Sequence, residues 1–301
     1  MSTILITGGS GLIGSALTKE LLAQDHSVRH LSRTPRSRDG AQAFAWDVQR
    51  GTLDKSALDG VDHIVHLAGE NIVGKRWSQE RLKLCQDSRT ESARMLLRTA
   101  HEIGLRPKSF VSASGVGYYG AITTDKLFTE SDANANDTIG RLTRAWEDAV
   151  DEWQGITRVL KLRTPMVLAR EGGALPRFFP LAKWFILAPL GSGNQWLPWV
   201  HIDDLVRLYI HAMENAGMSG AYNACASEQP RQCDFVRAIT RAVHRPLFPI
   251  AVPAFALQLA MGERSALLTE GSRASDARVQ ETGFEFRFAA LAPALADLTR
   301  P

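Results

Sequence analysis

The segment Thr7-Gly8-Gly9-Ser10-Gly11-Leu12-Ile13-Gly14 constrains this chain more than any other stretch of it. It follows a short apolar run, Thr3–Ile6, suited to a buried parallel strand. It opens Leu12–Ala23, a segment that places Leu12, Ile13, Ala16, Leu17, Leu21 and Leu22 on one helical face. Glycines at 8, 11 and 14 serve a tight turn, close approach of a pyrophosphate to the backbone, and helix–strand packing. The helix start then offers free N–H groups and the positive end of its dipole to an anion. A strand, this turn and a helix in that order are a dinucleotide-binding corner. Gly8, Ser10, Gly11, Leu12, Ile13 and Gly14 are therefore expected to contact a nicotinamide dinucleotide.

The alternation continues. Ser27–Leu31, Ala43–Trp46, Val61–Leu67, Ser109–Ser112 and Thr157–Leu162 read as strands, and Gln79–Ile103 and Arg141–Trp153 as amphipathic helices. This order predicts an α/β fold: a Rossmann-type, doubly wound parallel sheet with right-handed crossovers. Beyond Pro165 the pattern loosens. Glu171–Trp196 is rich in Gly, Pro and aromatics, Asp203–Asn215 reads as a helix capped by Asp203 or Asp204, and Cys233–His244 as another. We expect a core over residues 1–170, with 198–225 returning to it, and a small C-terminal substrate lobe from 171–197 and 226–301. A chain of 301 residues accommodates that arrangement.

The formal net charge is +3 and the arginines are scattered, which makes no case for nucleic acid or a membrane as partner. Cys85, Cys225 and Cys233 lack CxxC spacing and read as reduced thiols. The N-terminus has neither a basic region nor an apolar core long enough for a signal peptide, and the most apolar run, Phe178–Leu190, is interrupted by Pro180, Lys183 and Pro189. A cytoplasmic setting is expected.

The end of the second strand should meet the adenosine ribose. An acidic residue there would favour NAD(H), by accepting from the 2′-hydroxyl. The chain instead reads Leu31-Ser32-Arg33-Thr34-Pro35-Arg36-Ser37-Arg38, with Arg33 following Gly14 by 19 residues. A guanidinium can pair with a 2′-phosphate and stack on adenine, so NADP(H) is the preferred cofactor and NAD(H) the second candidate, with Ser32 and Arg33 at the ribose. Asp47 and Val48 are placed to hold the adenine edge. Leu67, Ala68 and Gly69 are placed to let the backbone pass the cofactor closely.

Several further segments carry a resemblance to a known family. They are His66-Leu67-Ala68-Gly69-Glu70-Asn71-Ile72, Gly74-Lys75-Arg76-Trp77, Ser112–Gly120, Leu162-Arg163-Thr164-Pro165, Gly172-Gly173-Ala174-Leu175-Pro176, Trp199-Val200-His201-Ile202-Asp203-Asp204 and the tail from about Leu247 to Leu298. With Thr7–Gly14, these resemble the atypical extended short-chain dehydrogenases/reductases of the NAD(P)-dependent epimerase/dehydratase superfamily. Within it, the chain is similar to the uncharacterised epimerase family proteins with a C-terminal domain of unknown function. The resemblance implies a bound nicotinamide cofactor, a C-terminal substrate lobe, and a run from Arg163 to Val167, including Pro165, beside the nicotinamide. It also implies a monomer or a homodimer, the latter through Gln79–Ile103 and Arg141–Trp153.

The superfamily's usual machinery is a Tyr-x-x-x-Lys pair with an upstream Ser or Thr; the tyrosine moves a proton, the lysine tunes it, and the hydroxyl orients substrate. Ser114, with Ser112 second, is the best candidate for the hydroxyl. No Tyr-x-x-x-Lys occurs: Ile139 and Thr143 fall near those positions, and the four tyrosines are Tyr118, Tyr119, Tyr209 and Tyr222. Tyr118 and Tyr119 are either an alternative proton donor or a packed aromatic wall. Glu70, Lys75 and Arg76 either bind an anionic substrate or form a solvated helix start. Trp77 reads as a packing anchor, and His201-Ile202-Asp203-Asp204 as a helix cap. Glu147-Asp148 and Asp151-Glu152 read as a solvent-facing helix side. No histidine has metal-ligand spacing. Two functions follow. One is an NADP(H)-dependent oxidoreductase or epimerase-like enzyme of a small molecule, favoured by the Gly- and aromatic-rich stretch 171–199. The other is a catalytically silent NADP(H)-binding redox sensor or interaction protein, favoured by the missing pair.

Overall fold

Strands of Val, Ile and Leu with apolar residues on both faces need cover on both sides, and here helices supply it. A computed structural model describes residues 1–37 and 40–300; Arg38 of the basic loop lies outside the described residues. In chain order the elements are β1 (Thr3–Thr7), α1 (Leu12–Ala23), β2 (Ser27–Ser32), β3 (Gln42–Asp47), β4 (Thr52–Leu53) and β5 (His63–His66). Then come α2 (Gln79–Glu102), β6 (Ser109–Gly115), β7 (Leu127–Phe128), α3 (Thr138–Asp151), β8 (Arg158–Thr164), β9 (Met166–Leu168), α4 (Leu175–Lys183) and β10 (Trp199–His201). The chain ends with α5 (Ile202–Glu214), β11 (Gly220–Asn223), α6 (Gln232–Ala242), α7 (Ala254–Met261), α8 (Ala266–Thr269), β12 (Arg273–Ala274), α9 (Ala277–Gln280) and α10 (Leu291–Thr299).

The main sheet runs β11-β8-β6-β5-β1-β2-β3-β4, parallel throughout except for the antiparallel edge pair β3–β4. Strand alternation divides the core. Ile4 and Ile6 point to the face covered by α1 and α5 (Leu17, Leu21, Leu205, Leu208), whereas Leu5 points to the face covered by α2 and α3 (Ala93, Leu96, Val150). Trp153 anchors that second face: it stacks on Phe110 at 4.2 Å and its Nε1–H donates to Ala93 O at 3.1 Å. Strand order reverses between β1 and β5, which opens a crevice beyond their C-terminal ends.

Several expectations shift by a few residues for identifiable reasons. α3 starts at Thr138, not Arg141, because Asp137 caps it by accepting from the Gly140 N–H at 2.7 Å. α5 is capped by His201 and not by Asp203 or Asp204: its Nδ1 accepts from the Asp203 N–H at 3.2 Å. Asp204 is instead fully buried, paired with Arg207 and accepting from the Arg287 and Phe288 N–H groups, both at 2.8 Å, which pins the C-terminal tail to the core. The irregular stretch after Glu171 contains α4, with Pro176 in its first turn, where a missing N–H costs nothing. α4, α6 and α10 share a third apolar cluster around Phe235, Ile239, Leu175 and Leu295. Among the described residues no helix is long and apolar enough to cross a membrane.

Burial holds two histidines of β5 neutral. His63 and His66 sit in the sheet, hydrogen bonded to Ser109 Oγ and Thr7 Oγ1 at 2.8 Å each, and burial lowers both rings to about 4. In the unfolded chain they titrate near the ordinary histidine value of about 6.5. Between the two values the unfolded chain binds protons that the folded chain does not, so stability falls as pH drops from about 6.5 to about 4. The loss expected from each ring is on the order of 3 kcal/mol. Urea midpoints across this window should fall steadily, and less steeply in His63→Asn; a flat profile contradicts the neutral assignment.

Candidate functional site

The crevice is built on backbone contacts that tolerate no side chain. Gly8 takes a φ of +71°, and a Cβ there would meet the Leu67 carbonyl carbon at 2.9 Å. A Cβ on Gly14 would meet Gly8 O at 2.4 Å, so the first turn of α1 lies directly on the glycine loop. Thr7 ties β1 to β5. Its Oγ1 accepts from the Leu67 and Ala68 N–H groups, both at 3.1 Å, leaving its proton for His66 Nδ1. His66 is thereby the Nε2–H tautomer, which donates to Ser92 Oγ at 3.1 Å. The α1 N-cap, Gly11, supplies no side chain to cap the helix, and its first turn holds no acid. The positive helix end is therefore not neutralised by the helix's own first turn.

Around this corner the structure brings Gly8 against Leu67 and Ala68, and Leu12 against the loop at Gly172 and Gly173. Ser10 and Gly11 are exposed and Ile13 is half-buried. Parallel pairing sets Leu31 beside Thr7, so Ser32 and Arg33 emerge next to the glycine loop. Arg33 is exposed and has no hydrogen bond or ion pair among the described residues; Ser32 Oγ is engaged with Thr34. Asp47 uses its carboxylate on the following turn, accepting from the Gln49 and Arg50 N–H groups at 2.9 and 3.1 Å, while Val48 packs on the core. Gly69 lets Arg89 pass: a Cβ would sit 2.8 Å from the guanidinium carbon. Arg89 in turn donates to Glu70 O at 3.0 Å and lies 4.9 Å over the Trp146 ring. Pro165 is buried at the end of β8.

The expected substrate residues divide. Glu70 is paired with Arg81 at 2.9 Å. Lys75 and Arg76 are exposed and enter no ion pair among the described residues. Their loop is braced by Trp77, whose Nε1–H donates to Ile72 O at 2.9 Å, and by Asn71 Oδ1, which accepts from the Val73 and Gly74 N–H groups. Surface hollows of about 340 and 430 Å³ lie elsewhere, beside α5 and the 283–285 segment and between α2 and α3. No group of acidic, His or Cys side chains among the described residues is arranged to hold a metal ion.

The expected catalytic residues belong to a buried network. Ser114 Oγ donates to Glu147 Oε1 at 2.6 Å. Glu147 receives a two-pronged contact from Arg163, Nε to Oε1 and Nη2 to Oε2, both at 2.9 Å. Arg163 Nη1 donates to the Tyr119 hydroxyl at 2.8 Å, which lies 2.8 Å from Asn223 Oδ1 and 3.0 Å from Thr129 O. The Arg163 guanidinium carbon lies 3.5 Å from the centre of the Tyr118 ring. Glu147 and its hydrogen bonds hold Arg163 above the ordinary arginine range, although burial opposes this. Alternation along β6 turns Ser112 and Ser114 inward, where Ser114 engages Glu147, and leaves Ala113 and Gly115 half-exposed. The Tyr119 hydroxyl is likewise enclosed by protein partners. Tyr118 is buried beneath Arg163. Ile139 and Thr143 lie under the same loop: a Cβ on Gly117 would meet Ile139 Cγ2 at 2.4 Å, and Thr143 donates to Ile139 O at 2.9 Å.

Residues 4–225 match the NAD dependent epimerase/dehydratase family, and residues 252–298 match a domain of unknown function, DUF1731. An epimerase family protein of Mycobacterium leprae, ML0860, is 36% identical over 100% of this chain and 97% of its own length. The chain belongs to the NAD dependent epimerase/dehydratase family. Within that family it is similar in structure to human epimerase family protein SDR39U1 crystallised with NADPH, with a TM-score of 0.88 and 31% identity over 98% of both chains. A nucleoside-diphosphate sugar epimerase from Corynebacterium glutamicum matches at TM-score 0.79 and 29% identity, over 98% of this chain and 57% of that one.

For this family member, sequence reasoning missed the pairing of Glu147 with Arg163, although the resemblance named Arg163 beside the nicotinamide. Glu147 was read with Asp148 as solvent-facing, yet Ile139, Thr143 and Glu147 recur at four-residue steps on one buried helix face. Arg163 interrupts the apolar run of β8, a signal that a buried charge needs a partner nearby. Glu147→Gln should cost about 3–5 kcal/mol in urea denaturation, because it strands a buried guanidinium. Combining Glu147→Leu with Arg163→Met should cost less than either single change. An additive loss would show that the two groups do not act as a pair.

Proposed function

We propose that this chain binds NADP(H) in the crevice between β1 and β5 and acts as an oxidoreductase or epimerase-like enzyme on a small anionic molecule. The observation that carries the reading is the pairing of a glycine cradle, Gly8, Gly11 and Gly14 at the uncapped start of α1, with an exposed Arg33 that has no partner among the described residues at the end of the neighbouring strand. These residues fit the group: the α1 start for the pyrophosphate, Ser32 and Arg33 for a 2′-phosphate, Asp47 and Val48 for the adenine side, and Leu67 to Gly69 with Pro165 along the nicotinamide half. The NADPH-bound human relative supports the same preference. Bound there, the nicotinamide supplies a hydride donor or acceptor at its C4. Residues 171–197 and 226–301 form the substrate lobe of this reading, and Lys75 and Arg76 bind the anionic group of the substrate.

Ser114 and Tyr119 hold the scaffold, and Tyr118 packs beneath Arg163. The inward setting of Ser114 and Tyr119 is also what favours the second reading, a catalytically silent NADP(H)-binding sensor. Single-turnover oxidation of bound NADPH against a panel of small carboxylated or phosphorylated carbonyl compounds separates the two. Substrate-dependent loss of NADPH absorbance that weakens in Lys75→Ala supports the enzyme, and no loss across the panel supports the sensor.

Arg33→Asp is expected to weaken NADPH binding by about 10–100-fold, with far less effect on NADH. Equal losses for both cofactors in a fluorescence titration would remove Arg33 from the 2′-phosphate.

A further inference from the structure

The helix α7 reads Ala-Phe-Ala-Leu-Gln-Leu-Ala-Met and buries none of its residues. A helix apolar on nearly every side belongs in a core or against another apolar phase. Its neighbours repeat the anomaly. Trp184 is 77% exposed, Ile250 68%, Phe255 73% and Leu259 86%, with Phe185, Ile186 and Phe248 also exposed. These segments are stitched together: the Phe248 N–H donates to Leu187 O at 3.1 Å, the Gly191 N–H donates to Val252 O at 2.9 Å, and Leu190 bridges to Val252.

The patch is also held at unfavourable backbone angles. Phe185, two residues past the end of α4, takes a φ of +59°, and His244, two residues past the end of α6, a φ of +53°. The Ile186 N–H closes onto Leu181 O at 2.9 Å and the Arg245 N–H onto Thr240 O at 2.8 Å, the helix-ending turn for which glycine is the usual residue. A bulky aromatic in that position is strained, and here it faces out, with the Arg245 guanidinium 5.2 Å over its ring.

Charge decides what the patch fits. Residues 172–193 and 241–264 hold Arg177, Lys183, Arg241, Arg245 and Arg264 against a single acid, Glu263. Arg177, Lys183, Arg241 and Arg245 are exposed and form no ion pair among the described residues. Two copies meeting through this face would bring like charges together, whereas an anionic surface complements it. We propose that this face docks on an anionic lipid bilayer, with Trp184, Phe185, Ile186, Ile250, Phe255 and Leu259 at headgroup depth and the cations against lipid phosphates. Scattered in sequence, the cations make no case for a membrane partner; in the fold Lys183 precedes Trp184 at the end of α4 and Arg245 lies over Phe185, beside the apolar face. That face adjoins the loop of Lys75 and Arg76, since Arg264 Nη1 donates to Val73 O at 3.2 Å.

The test is flotation of the full chain with phosphatidylcholine vesicles, alone or mixed with phosphatidylglycerol. The chain should float with the anionic vesicles, and less so as salt rises. Phe255→Ser with Leu259→Ser should lower partitioning by about tenfold or more. Lys183→Ala and Arg245→Ala should each lower it by about fivefold. All four positions are exposed, so thermal melts of these variants should match the parent. Failure to float with anionic vesicles overturns the proposal, as does flotation unchanged by both sets of substitutions. So does a solution dimer dissociated by the Phe255 and Leu259 changes.

Discussion

The contact between the glycine loop and its surroundings is the constraint on which the rest of this structure depends. Gly14 lies on Gly8 and Gly8 on Leu67 at separations that leave no room for a Cβ. Thr7 and His66 lock β1 to β5 beneath that contact, so the strand order reverses beside an open helix start. A larger residue at either glycine would push α1 away from the sheet and close off the anion site it creates.

The second organising feature is the buried pairing of Glu147 with Arg163, which fastens α3 to β8 and draws in Ser114 and Tyr119. Desolvating two charges is costly, and what offsets it here is two-pronged geometry with additional hydrogen bonds. The same network shapes the crevice wall. It turns inward the hydroxyls nearest the crevice on β6 and its following turn, and leaves Ala113, Gly115 and Gly117 half-exposed there.

Much of this was legible from the sequence where one local rule dominates. The glycine corner, the alternation of strands and helices, and the emergence of Arg33 beside the loop each follow from short-range pattern. What was not legible depended on partners distant in the chain. Glu147 looks solvated until Arg163 is known to face it from 16 residues away. That Ser114 engages Glu147 shows only once the strand register assigns its side. His201 caps α5 in place of the two aspartates after it because Asp204 is taken by the C-terminal tail, 83 and 84 residues further on. The apolar exposure of α7 was likewise hidden, since an apolar segment in a sequence does not announce whether anything will cover it.

The central claim is that the β1–β5 crevice is an NADP(H) site whose selectivity comes from the end of β2. Calorimetric titration of the unmodified chain with NADPH and with NADH, in one buffer, tests it most directly. The account predicts one site per chain and NADPH binding at least about tenfold tighter than NADH, the difference one charged phosphate contact supplies. Equal affinities, or no heat with either cofactor, would contradict it.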